Sequence, residues 1–345
     1  MPIELRRVFR LSLTTALALA VAYGLGVQFP FIAPLFAFAL TAAPKPPMGP
    51  KGVVGVSLVF CLMLGVGLLL IPVLLNYPAV ALLLVLLGLY VANYMALNLG
   101  KGKVGSLLTV GITLISALGL IHFQLATLVI AAFVTNFALA VVCQWVVYPL
   151  LPEDEVVAAP APQPNLAQSN WLSLRATLIV YPCYLLLLTN PAAYAPIMMK
   201  SVALAQQASE TDIRHAGREL VGSTLMAAIL AMLFWFGLKF MPNLWMFFML
   251  TLLFTWFIAG KLYGHFPSRY TPSFWTNAMI TMLIFIGPAV EDSASGKDPY
   301  TASRVRLSLF VGIALFTWGA MVFLGWLRSR ARVRRAAKVV WTSPA

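Results

Sequence analysis

Charge is what this chain of 345 residues has least of: Asp, Glu, Lys and Arg make up 10% of it, against 61% for hydrophobic residues. A soluble domain carries about a quarter of its residues charged and about half apolar, so a water-soluble globule is excluded. Acidic residues are the scarcer sign, 10 against 23 basic. They gather mostly at 153–155 and 291–298, without the converging carboxylates or histidines that acid–base or metal-assisted chemistry needs. That argues against an integral-membrane enzyme such as a lipid-linked group transferase. The three cysteines, Cys61, Cys143 and Cys183, have neither metal-ligand spacing nor an even count; they are expected to be buried apolar side chains. A phosphate loop is missing too, because Lys101-Gly102-Lys103 in GKGKVG lacks the glycine spacing and the following Ser or Thr. No ATP hydrolysis, cofactor or metal is expected.

Long apolar runs are what fills the space. Segments such as 52–75, 78–97 and 243–260 approach or exceed the roughly 20 residues that cross a hydrocarbon layer about 30 Å thick. Spans are expected near 11–29, 31–43, 52–75, 78–97, 104–121 and 125–151, then 171–189, 192–206, 219–241, 243–260, 272–289 and 304–327. They lack the alternation of barrel strands, and backbone groups in lipid must be satisfied within the segment, so an all-α polytopic membrane protein of about twelve transmembrane helices follows. Residues 1–26 have the look of a signal peptide but lack a convincing cleavage site, and read as an uncleaved first helix. Lys and Arg collect in cytoplasmic loops. With the N-terminus inside, the outer side receives only Lys239, Lys297, Arg304 and Arg306, which places both termini in the cytoplasm. The net charge of +13 is thus a product of orientation, not a nucleic-acid footprint; the basic tail 329–345 is suited to anionic headgroups.

The twelve segments read as two parallel sets of six, 1–151 and 171–328, joined by a cytoplasmic linker at 152–170. Arg10 opens one set and Arg175 the other; Ile32-Ala33-Pro34-Leu35 answers Tyr194-Ala195-Pro196-Ile197, and Val54-Gly55-Val56-Ser57 answers Val221-Gly222-Ser223-Thr224. The second segment of each set is short and carries a proline. Such segments at matching positions of two repeats point to a solute site, unless the prolines only start or kink helices. Pro34, Tyr194 and Pro196 are therefore candidates. Lys200 lies four residues past Pro196, on the same helical face. A charge inside a span costs about 2.5–3.5 kcal/mol on insertion scales, so it either faces a cavity, where it suits an anion, or snorkels to the cytoplasmic surface. Its counterpart in the first set is Phe38. Asn93 and Asn277 are weaker pore-lining candidates. His215 and Glu219, four apart, form either a proton relay or, more simply, a salt-bridged helix entrance with Arg214 and Arg218. Arg304 and Arg306 either draw anions into an outer vestibule or pair with Glu291, Asp292 and Asp298, the pairing being the simpler arrangement.

With Arg at the start of each repeat and Ala-Pro in a short second helix, the chain resembles the fusaric-acid-resistance and aromatic-acid-exporter (FUSC-like) superfamily, in its compact, uncharacterised bacterial inner-membrane branch. Larger members carry a soluble domain between the helix sets, which is replaced here by the short linker. The resemblance implies efflux of small organic, chiefly aromatic, acids across the bacterial inner membrane. It also implies a periplasmic membrane-fusion adaptor as partner and association of two chains. A passive anion channel or a non-transporting scaffold for the adaptor is the other reading.

Overall fold

A computed structural model describes residues 2–153, 166–210, 213–294 and 299–342. Among the described residues there are twelve helices and no strand: α1 (Ile3–Gly24), α2 (Ile32–Thr41), α3 (Pro50–Asn76), α4 (Pro78–Asn98), α5 (Gly102–Ile121), α6 (Phe123–Val147), α7 (Leu166–Thr189), α8 (Pro191–Glu210), α9 (Ile213–Phe240), α10 (Leu244–Leu262), α11 (Pro272–Ala294) and α12 (Pro299–Thr342). Nine of these, α3–α7 and α9–α12, are long and apolar enough to cross a membrane. The chain is a multi-pass membrane protein.

Local chemistry sets the helix starts. α3, α4, α8, α11 and α12 begin on proline, which lacks the N–H that a first turn leaves unpaired and has its φ already fixed. Asn243 caps α10 by accepting from the Met246 N–H at 2.7 Å. Outward faces stay apolar: Val80, Leu83, Leu84, Leu87 and Val91 of α4 are all exposed. On a soluble protein such a stripe would be an aggregation site; against lipid tails it costs nothing.

Three boundaries differ from the sequence reading. α2 is short at 10 residues, but α8 runs 20 residues, since Gln206 and Gln207 continue the helix where a polar break was expected. α7 starts at Leu166, inside the expected linker. α12 extends through the basic tail to Thr342, because Ala, Arg and Lys are good helix formers. Cys61 is a further correction: it is exposed on α3, while Cys143 and Cys183 are buried.

Packing joins helices from the first half of the chain to helices from the second. α1 lies along α10, and α7 along α4; α2 meets α6 as α8 meets α12, and α3 meets α5 as α9 meets α11. Side chains that share a cluster also define two ends. α1 begins at the basal end, where Tyr148 and Tyr263, just past α6 and α10, hydrogen-bond to the carbonyls of Lys45 and Ala42 beyond α2, both at 3.0 Å. The apical end gathers the start of α2, α6, α8 and α12 with the close of α5 and α11.

α3 and α5 cross backbone to backbone. A Cβ on Gly67 would fall 2.0 Å from the Gly111 carbonyl oxygen, and one on Gly111 would fall 2.3 Å from that of Met63. At this crossing α5 widens into a π-turn over Gly111–Ile115. Overpacking typically costs 1–3 kcal/mol, and a backbone obstacle cannot swing aside, so Gly67→Ala is expected to cost about 3 kcal/mol. Gly65→Ala, with open space around its Cβ, is the control. Thermal unfolding in detergent checks this; equal midpoints for the two variants would mean a looser crossing.

Candidate functional site

Inside the helices of the second set, polar residues fall at four-residue spacing, which stacks them on one face. α11 carries Ser273, Asn277 and Thr281, and α9 carries Glu219 and Ser223; α8 brings Lys200 against them. Lys200 has no solvent exposure, so it does not snorkel. Its Nζ donates to Asn277 Oδ1 at 3.0 Å and to Thr281 Oγ1 at 2.5 Å. The Thr281 hydroxyl is itself committed as donor to the Asn277 carbonyl at 2.6 Å, which leaves a lone pair aimed at the ammonium. Asn277 is fixed from both ends, since its Nδ2 donates to Ser223 Oγ at 2.5 Å. Ser223 then donates to the carbonyl of Glu219.

Glu219 closes this file basally. It is 1% exposed; Oε2 accepts from Thr271 at 2.6 Å and Ser273 at 3.2 Å, and Oε1 is buried without a partner. Among the described residues Lys200 is in no ion pair. An ammonium held in the membrane interior only by neutral oxygens is an uncompensated charge. Its hydrogen bonds to Asn277 and Thr281 fix its position.

Apical to it lies a cavity of about 290 Å3. The α2 entrance supplies Phe29, Phe31 and Ile32; α6 adds Phe133, α8 adds Ala195 and Met199, and α11 adds Ile284 and Pro288. Phe29 is held at φ +52, a left-handed conformation costly for a bulky residue. Met199 lines the cavity, and Lys200, about 100° further around α8, turns to α11. Thr281 precedes Ile284 by three residues, a rise of about 4.5 Å. The ammonium therefore sits about one turn beneath the wall. Glu291, Asp292 and Arg306 form the polar part of the lining. Arg306 pairs with Asp292, and its Nη1 is buried without a partner.

The sequence candidates are thereby sorted. Both second helices reach the cavity, although through Phe31, Ile32, Ala195 and Met199; Pro34 is buried in packing and Tyr194 is half-buried against the core. The side chains of Pro196 and His215 lie outside the described residues, as do Lys297 and Asp298. Asn277 is joined to Lys200. Asn93 is not: it donates to the Leu89 carbonyl and to Thr177 at 3.2 Å, which ties α4 to α7. Glu219 meets Thr271 and Ser273 as described, while Arg218 stacks over Tyr270 at 5.6 Å. Arg304 and Arg306 do not share one vestibule, because Arg304 lines a different cavity with α9. Sequence reasoning passed over Ser223, Thr271 and Thr281. For Thr281 the signal was the four-residue spacing of hydroxyls and amide along α11, visible only once Lys200 is known to face it; Ser223 and Thr271 lie outside that series.

Residues 7–147 match a protein family described as a protein of unknown function, DUF2955. No curated protein and no solved structure matches the chain.

Proposed function

We propose that this chain is an efflux transporter of the bacterial inner membrane that carries small organic, chiefly aromatic, acids outward. The observation that carries the reading is Lys200, a fully buried cation of α8 held by two neutral oxygens of α11 beneath a phenyl-lined cavity. A carboxylate reaching it would gain about 4 kcal/mol at 4 Å for an effective dielectric near 20. The ring of such a solute suits Phe29, Phe31 and Phe133. At the rim Glu291 and Asp292 face one guanidinium, so an anion finds no net attraction there and is released.

The exchanged packing of α1 with α10 and of α7 with α4 supports two parallel six-helix repeats about an axis along the membrane normal. The basic loops support cytoplasmic termini, which makes the apical end periplasmic. The FUSC-like resemblance supplies the remaining parts of the proposal: a periplasmic membrane-fusion adaptor and a dimer. Efflux of a panel of aromatic carboxylates from expressing cells, with and without an adaptor and with the proton gradient collapsed, tests it. Gradient-sensitive, adaptor-dependent efflux is the expected result. Efflux indifferent to the gradient would favour a passive channel, and none at all despite correct insertion would favour a scaffold.

A further inference from the structure

α9, α11 and α12 frame a second cavity of about 260 Å3, on another face of α11 from the first. Its walls include Met232, Trp235 and Phe236 of α9, Ala289 of α11 and Arg304 of α12. Met232 and Phe236 are 56% and 54% exposed and continue the outward apolar face of Leu225, Ile229 and Leu233. Within a bilayer the medium beside this opening is hydrocarbon, so the cavity is reached sideways from the lipid.

Two polar groups on these apolar walls lack anything to serve. Trp235 carries a buried indole N–H with no acceptor, a costly state away from water. Arg304 is a cation in a lining that contains no Asp or Glu. The first cavity has two carboxylates beside its single arginine, so the two sites differ in sign. Arg304 is also among the few basic residues that break the charge bias of the loops, and transport as proposed gives it no role.

We propose that this lateral cavity binds an anionic phospholipid of the surrounding bilayer. An acyl chain fills the apolar trough, an ester carbonyl accepts from Trp235 Nε1, and the phosphate meets Arg304. The inference rests on membrane placement and on no step of transport, so failure of the efflux assay would leave it standing.

The test uses the full chain reconstituted with lipids brominated on their acyl chains, which quench nearby indoles. Trp235 emission is the difference between wild type and Trp235→Phe. Brominated phosphatidylglycerol is expected to quench it at least twice as strongly as brominated phosphatidylcholine, and Arg304→Gln to remove that preference without shifting the unfolding temperature. Equal quenching by the two lipids would overturn the proposal, as would a preference that survives Arg304→Gln. Quenching by a brominated fatty acid without quenching by phosphatidylglycerol would also overturn it, in favour of a free carboxylate amphiphile.

Discussion

Replacing Lys200 by methionine is expected to abolish export while leaving the protein at least as hard to unfold. An ammonium at membrane depth costs about 2.5–3.5 kcal/mol on insertion scales. Methionine fills a similar volume without the charge. Against that gain stand two lost hydrogen bonds, each worth about 1 kcal/mol net, with Asn277 Oδ1 left without its donor. The balance is a gain of about 1 kcal/mol or no change. Export, by contrast, should fall at least about tenfold at equal membrane abundance, because tenfold corresponds to only 1.4 kcal/mol of lost attraction and the ion pair is worth more. Thermal unfolding in detergent beside an efflux assay separates the roles. If Lys200→Met lost stability and export together, the lysine would be a structural strut and the anion site would lie elsewhere.

Glu153→Ala is expected to cost about 3–5 kcal/mol, the largest loss from any single change considered, since removing one partner of a buried pair strands the other. Glu153, at the start of the linker, is 4% exposed and bridges Arg7 at 2.5 Å and the fully enclosed Arg10 of α1. Arg10 also lies over the Tyr148 ring at 4.6 Å. Burial alone would push the Glu153 carboxyl up; hydrogen bonds from Arg7 and Arg10, together with their charges, outweigh it and hold the group below its ordinary value of 4.5. A depressed carboxylate stabilises the fold fully above its unfolded value and loses that contribution as pH falls through the folded one. Wild type should therefore lose stability as pH falls below about 4.5. Glu153→Gln should start lower at neutral pH and lack this part of the acid slope. Parallel slopes in wild type and Glu153→Gln would show that the pair is not what acid breaks.

What was legible in the sequence follows from which forces are local. Helix number and approximate bounds could be read because apolar length decides them, and Lys200 stood out because a lone charge in such a run has no ordinary explanation. The bounds failed where polarity and helicity part company. Gln206, Gln207 and the arginines after Arg328 are polar yet favour helix, so α8 and α12 ran past the places where hydropathy stops. The partners of Lys200 were hidden because Asn277 and Thr281 lie some 80 residues away on a helix whose rotation no local pattern fixes. The opposite destinations of Arg304 and Arg306, two residues apart on one helix, follow from the same unknown rotation.

The pairing of α1 with α10 also bears on how the chain is made. Leu244 follows Gly24 by 220 residues, so at roughly 5–20 residues per second the first helix waits about 10–45 s before its main neighbour exists. During that interval Ser12, Thr14 and Thr15, all buried in the finished protein, lack the packing that later covers them. Each donates its hydroxyl to a carbonyl of its own helix, at 2.8, 2.7 and 2.7 Å. α1 thus carries its own partners and can wait for the ribosome to finish the other half.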